Sequence, residues 1–177
     1  MIEIETRQLA GIPVLHAVPA GKRECSLPCI IFYHGFTSSS LVYSYFAVAL
    51  AQAGFRVVMP DAPDHGARFN GDAQERMFRF WHILQQNMQE FTTLRAALVA
   101  ENWLSDERLA VGGALLVHRL GGDFAGALEL HVLVIAGGQG AHFVDDVHQH
   151  LGAELGQALA GDGIVGEDLL RGRGRLE

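Results

Sequence analysis

The sequence predicts an α/β fold, a mostly parallel sheet with crossover helices, and three observations carry that prediction. Apolar runs that stop at glycine or proline alternate with stretches whose apolar residues recur every three or four positions. Two of the runs, PCIIFYHGF and FRVVMP, are mostly apolar without polar alternation, the pattern of strands covered on both faces. A length of 177 residues with 49% apolar and 19% charged residues suits one domain with a sizeable core. From the third strand on, the order strand, helix, strand, helix, strand then places function at the C-terminal ends of the strands.

The elements follow in order. IEIE at 2–5 and IPVLHAV at 12–18 read as strands joined by a short connection near Gly11 and Pro13. PCIIFYHGF at 28–36 reads as a central strand ended by glycine. Ser38 to Ser40 offer an N-cap to a helix over about 41–53, with Val42, Phe46, Ala49 and Leu50 on one stripe and Gly54 as its stop. FRVVMP at 55–60 is a second buried-type strand stopped by Pro60, and DAPDHGARFNG is a polar loop. Asp72 and Glu75 resemble a capping box. Behind them Met77, Phe80, Trp81, Leu84, Met88, Phe91, Leu94 and Leu98 predict one long helix or two end to end, finishing near Trp103. A short strand at 108–112 runs into Gly112-Gly113.

Charge and composition exclude several classes. A net charge of −7 argues against a nucleic-acid partner. No apolar run approaches the roughly 18 residues of a membrane span, and MIEIETRQLAGI lacks the basic start and apolar stretch of a signal peptide, so a cytoplasmic location and no membrane partner are expected. Cys25 and Cys29, with no second pair, make neither a four-ligand zinc site nor a disulfide framework and read as two reduced thiols.

The vocabulary changes after residue 114. Residues 115–177 contain no Ser, Thr, Asn, Lys, Pro, Cys, Met, Trp or Tyr, yet hold 13 of the 21 glycines and 5 of the 9 histidines. LELHVLVIAGG could be a strand, and Val147, Leu151, Leu155 and Leu159 are spaced by four, but Gly152 and Gly156 would cost such a helix about 1 kcal/mol each. The expectation is two parts: 1–114, the start of an α/β domain, and 115–177, a Gly/His-rich tail of foreign or out-of-frame origin with no fold assigned. An unfinished sheet predicts self-association through an open strand edge.

The chemistry-bearing stretches sit where strands end: HGF at 34–36, DAPDHG at 61–66 and GGALL at 112–116. Glycine after a buried strand lets main-chain N–H groups approach a substrate carbonyl oxygen. Together PCIIFYHGFTSSSLVYSYFAVALAQAG, RVVMPDAPDHGARF, QEFTTLRAAL and ENWLSDERLAVGGA resemble the α/β-hydrolase superfamily, in its dienelactone-hydrolase and prolyl-oligopeptidase-like branch. The resemblance covers residues 1–114. It implies the N-terminal half of an α/β-hydrolase fold and a serine carboxylesterase acting on short acyl esters, a small-molecule substrate, without a cofactor or metal. It also implies that His34, Gly35 and Phe36 form the oxyanion-hole loop, with the Phe36 N–H as donor, and that Asp64, His65 and Gly66 form a turn at the site mouth. The order nucleophile, acid, base puts the base downstream of the serine, which gives His65 a structural role.

Such enzymes carry G-x-S-x-G after the equivalent of the last strand, a strained turn that exposes the serine. Here the stretch is Gly113-Ala114-Leu115-Leu116-Val117: Leu115 occupies the nucleophile position and Val117 that of the second glycine. None of the other serines, at 26, 38, 39, 40, 44 and 105, lies in a glycine-flanked elbow. Asp123, Asp145, Asp146, His142, His148 and His150 are available as acid or base by count alone and receive no role. HFVDDVHQH at 142–150 is rich in ligand types, but its H-x5-H-x-H spacing matches no helix-face pair at i, i+4, so only opportunistic metal binding is expected. GGQG after LVIA lacks the rest of a phosphate-binding turn.

Overall fold

The computed structural model describes residues 1–116 and a strand at 130–137. The elements are β1 (Ile2–Leu9), β2 (Ile12–Pro19), β3 (Leu27–Tyr33), α1 (Ser44–Gln52), β4 (Arg56–Pro60), α2 (Ala73–Phe78), α3 (Phe80–Ala100), β5 (Leu104–Leu116) and β6 (Leu130–Gly137), with a single 3-10 turn at Gly66–Arg68. Their sheet order is β1-β2-β4-β3-β5-β6. The centre is parallel, as the sequence predicts: β3 runs parallel to both β4 and β5. The flanks are antiparallel, β1 with β2, β2 with β4, and β5 with β6, so the sheet as a whole is mixed. The β1–β2 hairpin turns at Ala10 and Gly11, both at positive φ, the backbone form that matches the twist of a two-residue hairpin.

Alternation along β3 sends side chains to two cores, as a sheet covered on both faces requires. Ile30 and Phe32 pack with Phe46, Leu50, Val57 and Met59 beneath α1. Cys29 and Ile31 pack with Val58, Leu94, Leu98 and Trp103 beneath α3. Burial pushes the Cys29 thiol up to about 12 and makes it inert, while Cys25 is exposed; both are free.

Several elements depart from the sequence expectation. The strand expected over 28–36 ends at Tyr33, which leaves His34 to Phe36 in a loop. Helix α1 begins at Ser44 behind Tyr43 and has no side-chain cap; Ser39 Oγ instead accepts from the Val42 N–H at 3.4 Å, within the turn that precedes it. The buried face of α1 is Phe46, Ala47, Leu50 and Ala51, whereas Val42 is 64% exposed. The expected long helix is two, divided at Arg79. Asp72 caps α2 by accepting from the Gln74 and Glu75 N–H groups at 2.9 Å, but its own N–H donates to Asn70, so the reciprocal half of a capping box is replaced. Of the periodic stripe, Leu94 and Leu98 are buried, while Met77, Trp81, Leu84 and Met88 face outward.

One buried polar cluster lies within the sheet. The Arg56 guanidinium, fully buried, donates to the carbonyl oxygens of Arg23 and Cys25 at 2.7 and 2.8 Å and to His16 Nε2 at 2.5 Å. His16 then carries its hydrogen on Nδ1 and donates to Glu5 at 3.2 Å, and its ring stacks on Trp103 at 4.7 Å. Arg56 and Arg7 lie over the same indole at 4.2 and 4.5 Å, so the charge is held by hydrogen bonds and an aromatic face together.

Candidate active site

Because β3 and β4 are parallel neighbours, the loops that follow them leave the sheet at the same edge. HGF and DAPDHG are therefore brought side by side. His34 is buried, and its Nε2 accepts from the Ala62 N–H of the opposite loop at 3.0 Å. His65 is buried as well, and its Nε2 accepts from the Thr37 N–H at 3.0 Å. With Nε2 an acceptor in each ring, the hydrogen sits on Nδ1, where His34 donates to the Gly35 carbonyl at 2.9 Å and His65 to the Pro63 carbonyl at 2.8 Å. Burial holds both imidazoles below the ordinary histidine range, against the raising effect of those carbonyls. Both nitrogens of His65 are engaged with backbone groups, the arrangement of a structural pin.

Asp61 is the anchor that sequence reasoning missed. Its Oδ1 accepts from the Ser40 N–H at 2.8 Å and its Oδ2 from the Ala67 N–H at 2.9 Å. Its carbonyl accepts from Arg68 at 3.1 Å, and Arg68 forks onto Glu90 of α3 with two bonds of 2.7 Å. The carboxylate thus ties the approach to α1 to the 3-10 turn, and the carbonyl of the same residue links both to α3 through Arg68. Gly66 makes this possible: its φ is +50°, and a Cβ there would fall on the Asp61 carboxylate. The signal was present in sequence as an acidic residue directly after the strand-ending Pro60, but its partners are two backbone N–H groups, which no side-chain pattern reports.

Asp64 sits at φ +62°, accepts from the Asn70 N–H at 3.1 Å and lies 3.8 Å from Arg79. Phe36, half-buried, sets its ring against His65 at 5.0 Å and Phe80 at 4.9 Å. Among the described residues its backbone N–H has no hydrogen-bond partner, so a donor stands free at the end of β3.

The third stretch behaves differently. β5 continues past the expected 108–112 to Leu116, and Gly113, Ala114, Leu115 and Leu116 pair in register with Leu133, Val132, His131 and Leu130 of β6. The backbone remains extended where an elbow would leave the sheet. A Cβ at Gly113 would lie 3.6 Å from the Tyr33 carbonyl oxygen, an ordinary contact, so crowding does not demand glycine there.

Among the described residues no group of three or more His, Cys, Asp or Glu could hold a metal ion, and no helix is long and apolar enough to cross a membrane. The ligand-rich stretch 142–150, the residues Gly138 to Gly140, the periodic stretch 147–159 and the acid and base candidates of the tail lie outside the described residues.

Comparison with known proteins adds to this geometry. Residues 12–99 match the family described as platelet-activating factor acetylhydrolase, isoform II. The chain is 75% identical over 114 residues to "Esterase YjfP" of Escherichia coli (strain K12), an alignment covering 64% of this chain and 46% of that protein. It is 36% identical, again over 114 residues, to "Putative esterase YitV" of Bacillus subtilis (strain 168), of which 45% is covered. The chain therefore spans about half the length of the curated relatives it matches. Among solved structures, a "Putative Dienelactone Hydrolase" from Klebsiella pneumoniae subsp. pneumoniae MGH 78578 superposes with a TM-score of 0.50 at 16% identity, over 64% of this chain and 50% of that one. At that identity the likeness is one of fold.

Proposed function

We propose that this chain, whose first 114 residues are similar to esterases of the α/β-hydrolase type, derives from a serine carboxylesterase of short acyl esters and does not itself complete the reaction. Acyl transfer in such an enzyme needs a serine oxygen, a histidine to take its proton, and two N–H groups for the developing oxyanion. The Phe36 N–H supplies a donor of the right kind, in a loop braced by His34, His65 and Asp61. The turn of Asp64, His65 and Gly66 borders that loop and shapes the approach to it.

The observation that carries the reading is the run of Gly113 to Leu116 within the β5–β6 ladder, with Leu115 where the nucleophile belongs. A leucine offers no oxygen to acylate. The second oxyanion donor, which belongs to the residue after the serine, requires the elbow and goes with it. His65 does not replace the missing base, because its Nε2 lone pair is occupied by Thr37. The reading keeps a small-molecule ester as the ancestral substrate, no cofactor, and a cytoplasmic location.

The second reading is a non-catalytic interaction protein. It is favoured by the apolar side chains left exposed on α2 and α3, with Phe78 91%, Trp81 76% and Met88 70% exposed, and by the outer edge of β1, which no strand among the described residues covers. Incubation with p-nitrophenyl acetate and butyrate, followed by a fluorophosphonate probe, separates catalytic from non-catalytic. The expected result is no turnover and no stoichiometric serine labelling; labelling accompanied by turnover overturns the proposal.

A further inference from the structure

We propose that His34 and His65 act as positioning residues in a protonation-gated clasp, which joins the loops after β3 and β4 while both rings are neutral and parts them when either ring gains a second proton. The bearing of the clasp on the Phe36 N–H rests on the function proposed above; the clasp itself does not. Its basis is reciprocity. A ring on the β3 loop accepts from the Ala62 N–H of the β4 loop, and a ring on the β4 loop accepts from the Thr37 N–H of the β3 loop, each at 3.0 Å. Both rings are in the same tautomer, and both Nδ1–H groups donate to carbonyls of their own loop, at 2.9 and 2.8 Å. The two bonds that join the loops thus depend on two lone pairs, one on each Nε2.

A proton added at Nε2 changes an acceptor into a donor facing another donor. The bond is lost, and a buried N–H is left without a partner. The ring centroids are 5.3 Å apart, so protonation of one ring opposes that of the other. The backbone is also held away from its relaxed form at both ends of the clasp, with Thr37 at φ +70° and Asp64 at φ +62°. Neither residue is glycine, and such conformations persist only where surrounding bonds enforce them.

The groups facing the rings divide. Asp61, 3.9 Å from His34 Nε2, and Asp64 favour the cation. Arg76 opposes it at both rings, and Arg79 lies 3.8 Å from Asp64. Asp61 already accepts from Ser40 and Ala67, and Arg68 is spent on Glu90 and the Asp61 carbonyl. Burial outweighs the two carboxylates at both rings, which keeps the neutral, bond-accepting form in place near neutrality.

The experiment is nitrogen-15 NMR on the full chain from pH 7.5 downward, following the His34 and His65 ring nitrogens, their tautomers and the hydrogen-exchange protection of the Thr37 and Ala62 amides. The expected result is Nδ1–H tautomers at pH 7.5 and a loss of protection at both amides, about tenfold or more, over the pH range in which the two rings protonate. A His65→Gln variant, whose side-chain oxygen can still accept from Thr37, is expected to retain Thr37 protection and to remove its pH dependence. Amides that remain protected while the rings protonate, or a different tautomer in either ring at pH 7.5, overturn the proposal. The wild-type titration decides this even if the variant fails to fold, and none of these readouts depends on esterase turnover.

Discussion

Gly66→Ala is the substitution that most directly probes how the two loops are built. Alanine must take φ +50°, at a cost of about 1 kcal/mol, and its Cβ falls on the Asp61 carboxylate. That carboxylate cannot withdraw without giving up the Ser40 and Ala67 N–H groups, bonded at 2.8 and 2.9 Å. Hydrogen bonds to a charged group contribute about 1.5–3 kcal/mol each, so the expected loss is roughly 4–7 kcal/mol in all. Gly11→Ala is the matched control, with φ +78° and nothing within 4 Å of its Cβ, and should lose only about 1 kcal/mol. Urea unfolding followed by tryptophan fluorescence, with buried Trp103 as one reporter, measures both. At a slope of about 2 kcal/mol/M the two midpoints should differ by roughly 2 M. Adding Asp61→Ala to Gly66→Ala should then cost far less than Asp61→Ala alone, because the same bonds are already gone. Midpoints for Gly66→Ala and Gly11→Ala within roughly 0.5 M of each other would refute the reasoning.

Two further outcomes concern other parts of the chain. Burial holds His16 at about 4, below its ordinary value of 6.5, so the native state favours the neutral ring. That contribution, on the order of 3 kcal/mol, is complete above pH 6.5 and is lost as pH falls from 6.5 toward 4. Urea midpoints should therefore decline less steeply over that interval in His16→Phe than in the wild type, and equal slopes would contradict the assignment. Leu115→Ser alone should not produce hydrolysis of p-nitrophenyl acetate, because the position lies in an extended ladder rather than an elbow; measurable turnover by that single variant would show that the elbow forms.

The strands were legible because their apolar content is local. β3 and the VVM core of β4 announce themselves as apolar runs with glycine or proline near the exit, and the parallel centre follows from the helices between the strands. Helix α3 was legible in kind but not in orientation: period alone cannot say which of two apolar stripes meets the sheet, and packing selected Ile83, Leu94 and Leu98 over Trp81, Leu84 and Met88. Capping was misread for a related reason. Serines at 38–40 have the chemistry of caps, yet the Ser40 N–H is drawn to Asp61, 21 residues away, and α1 starts after it.

In the candidate site, residue identities were local information, and roles were not. His34, Gly35, Phe36, Asp64, His65 and Gly66 could be named from strand ends and glycine positions, and Leu115 could be seen to lack a nucleophilic atom, because that is a property of the residue alone. The sequence by itself therefore determined the α/β class, the central strands and the presence of leucine rather than serine at position 115. Only the tertiary structure decided that Asp61 is the anchor, that each histidine closes onto the other's loop, and that Gly113 to Leu116 stay in the sheet. These are pairings between backbone groups distant along the chain, and a backbone N–H or carbonyl is the same in every non-proline residue, so the sequence carries no mark of which partner it will find.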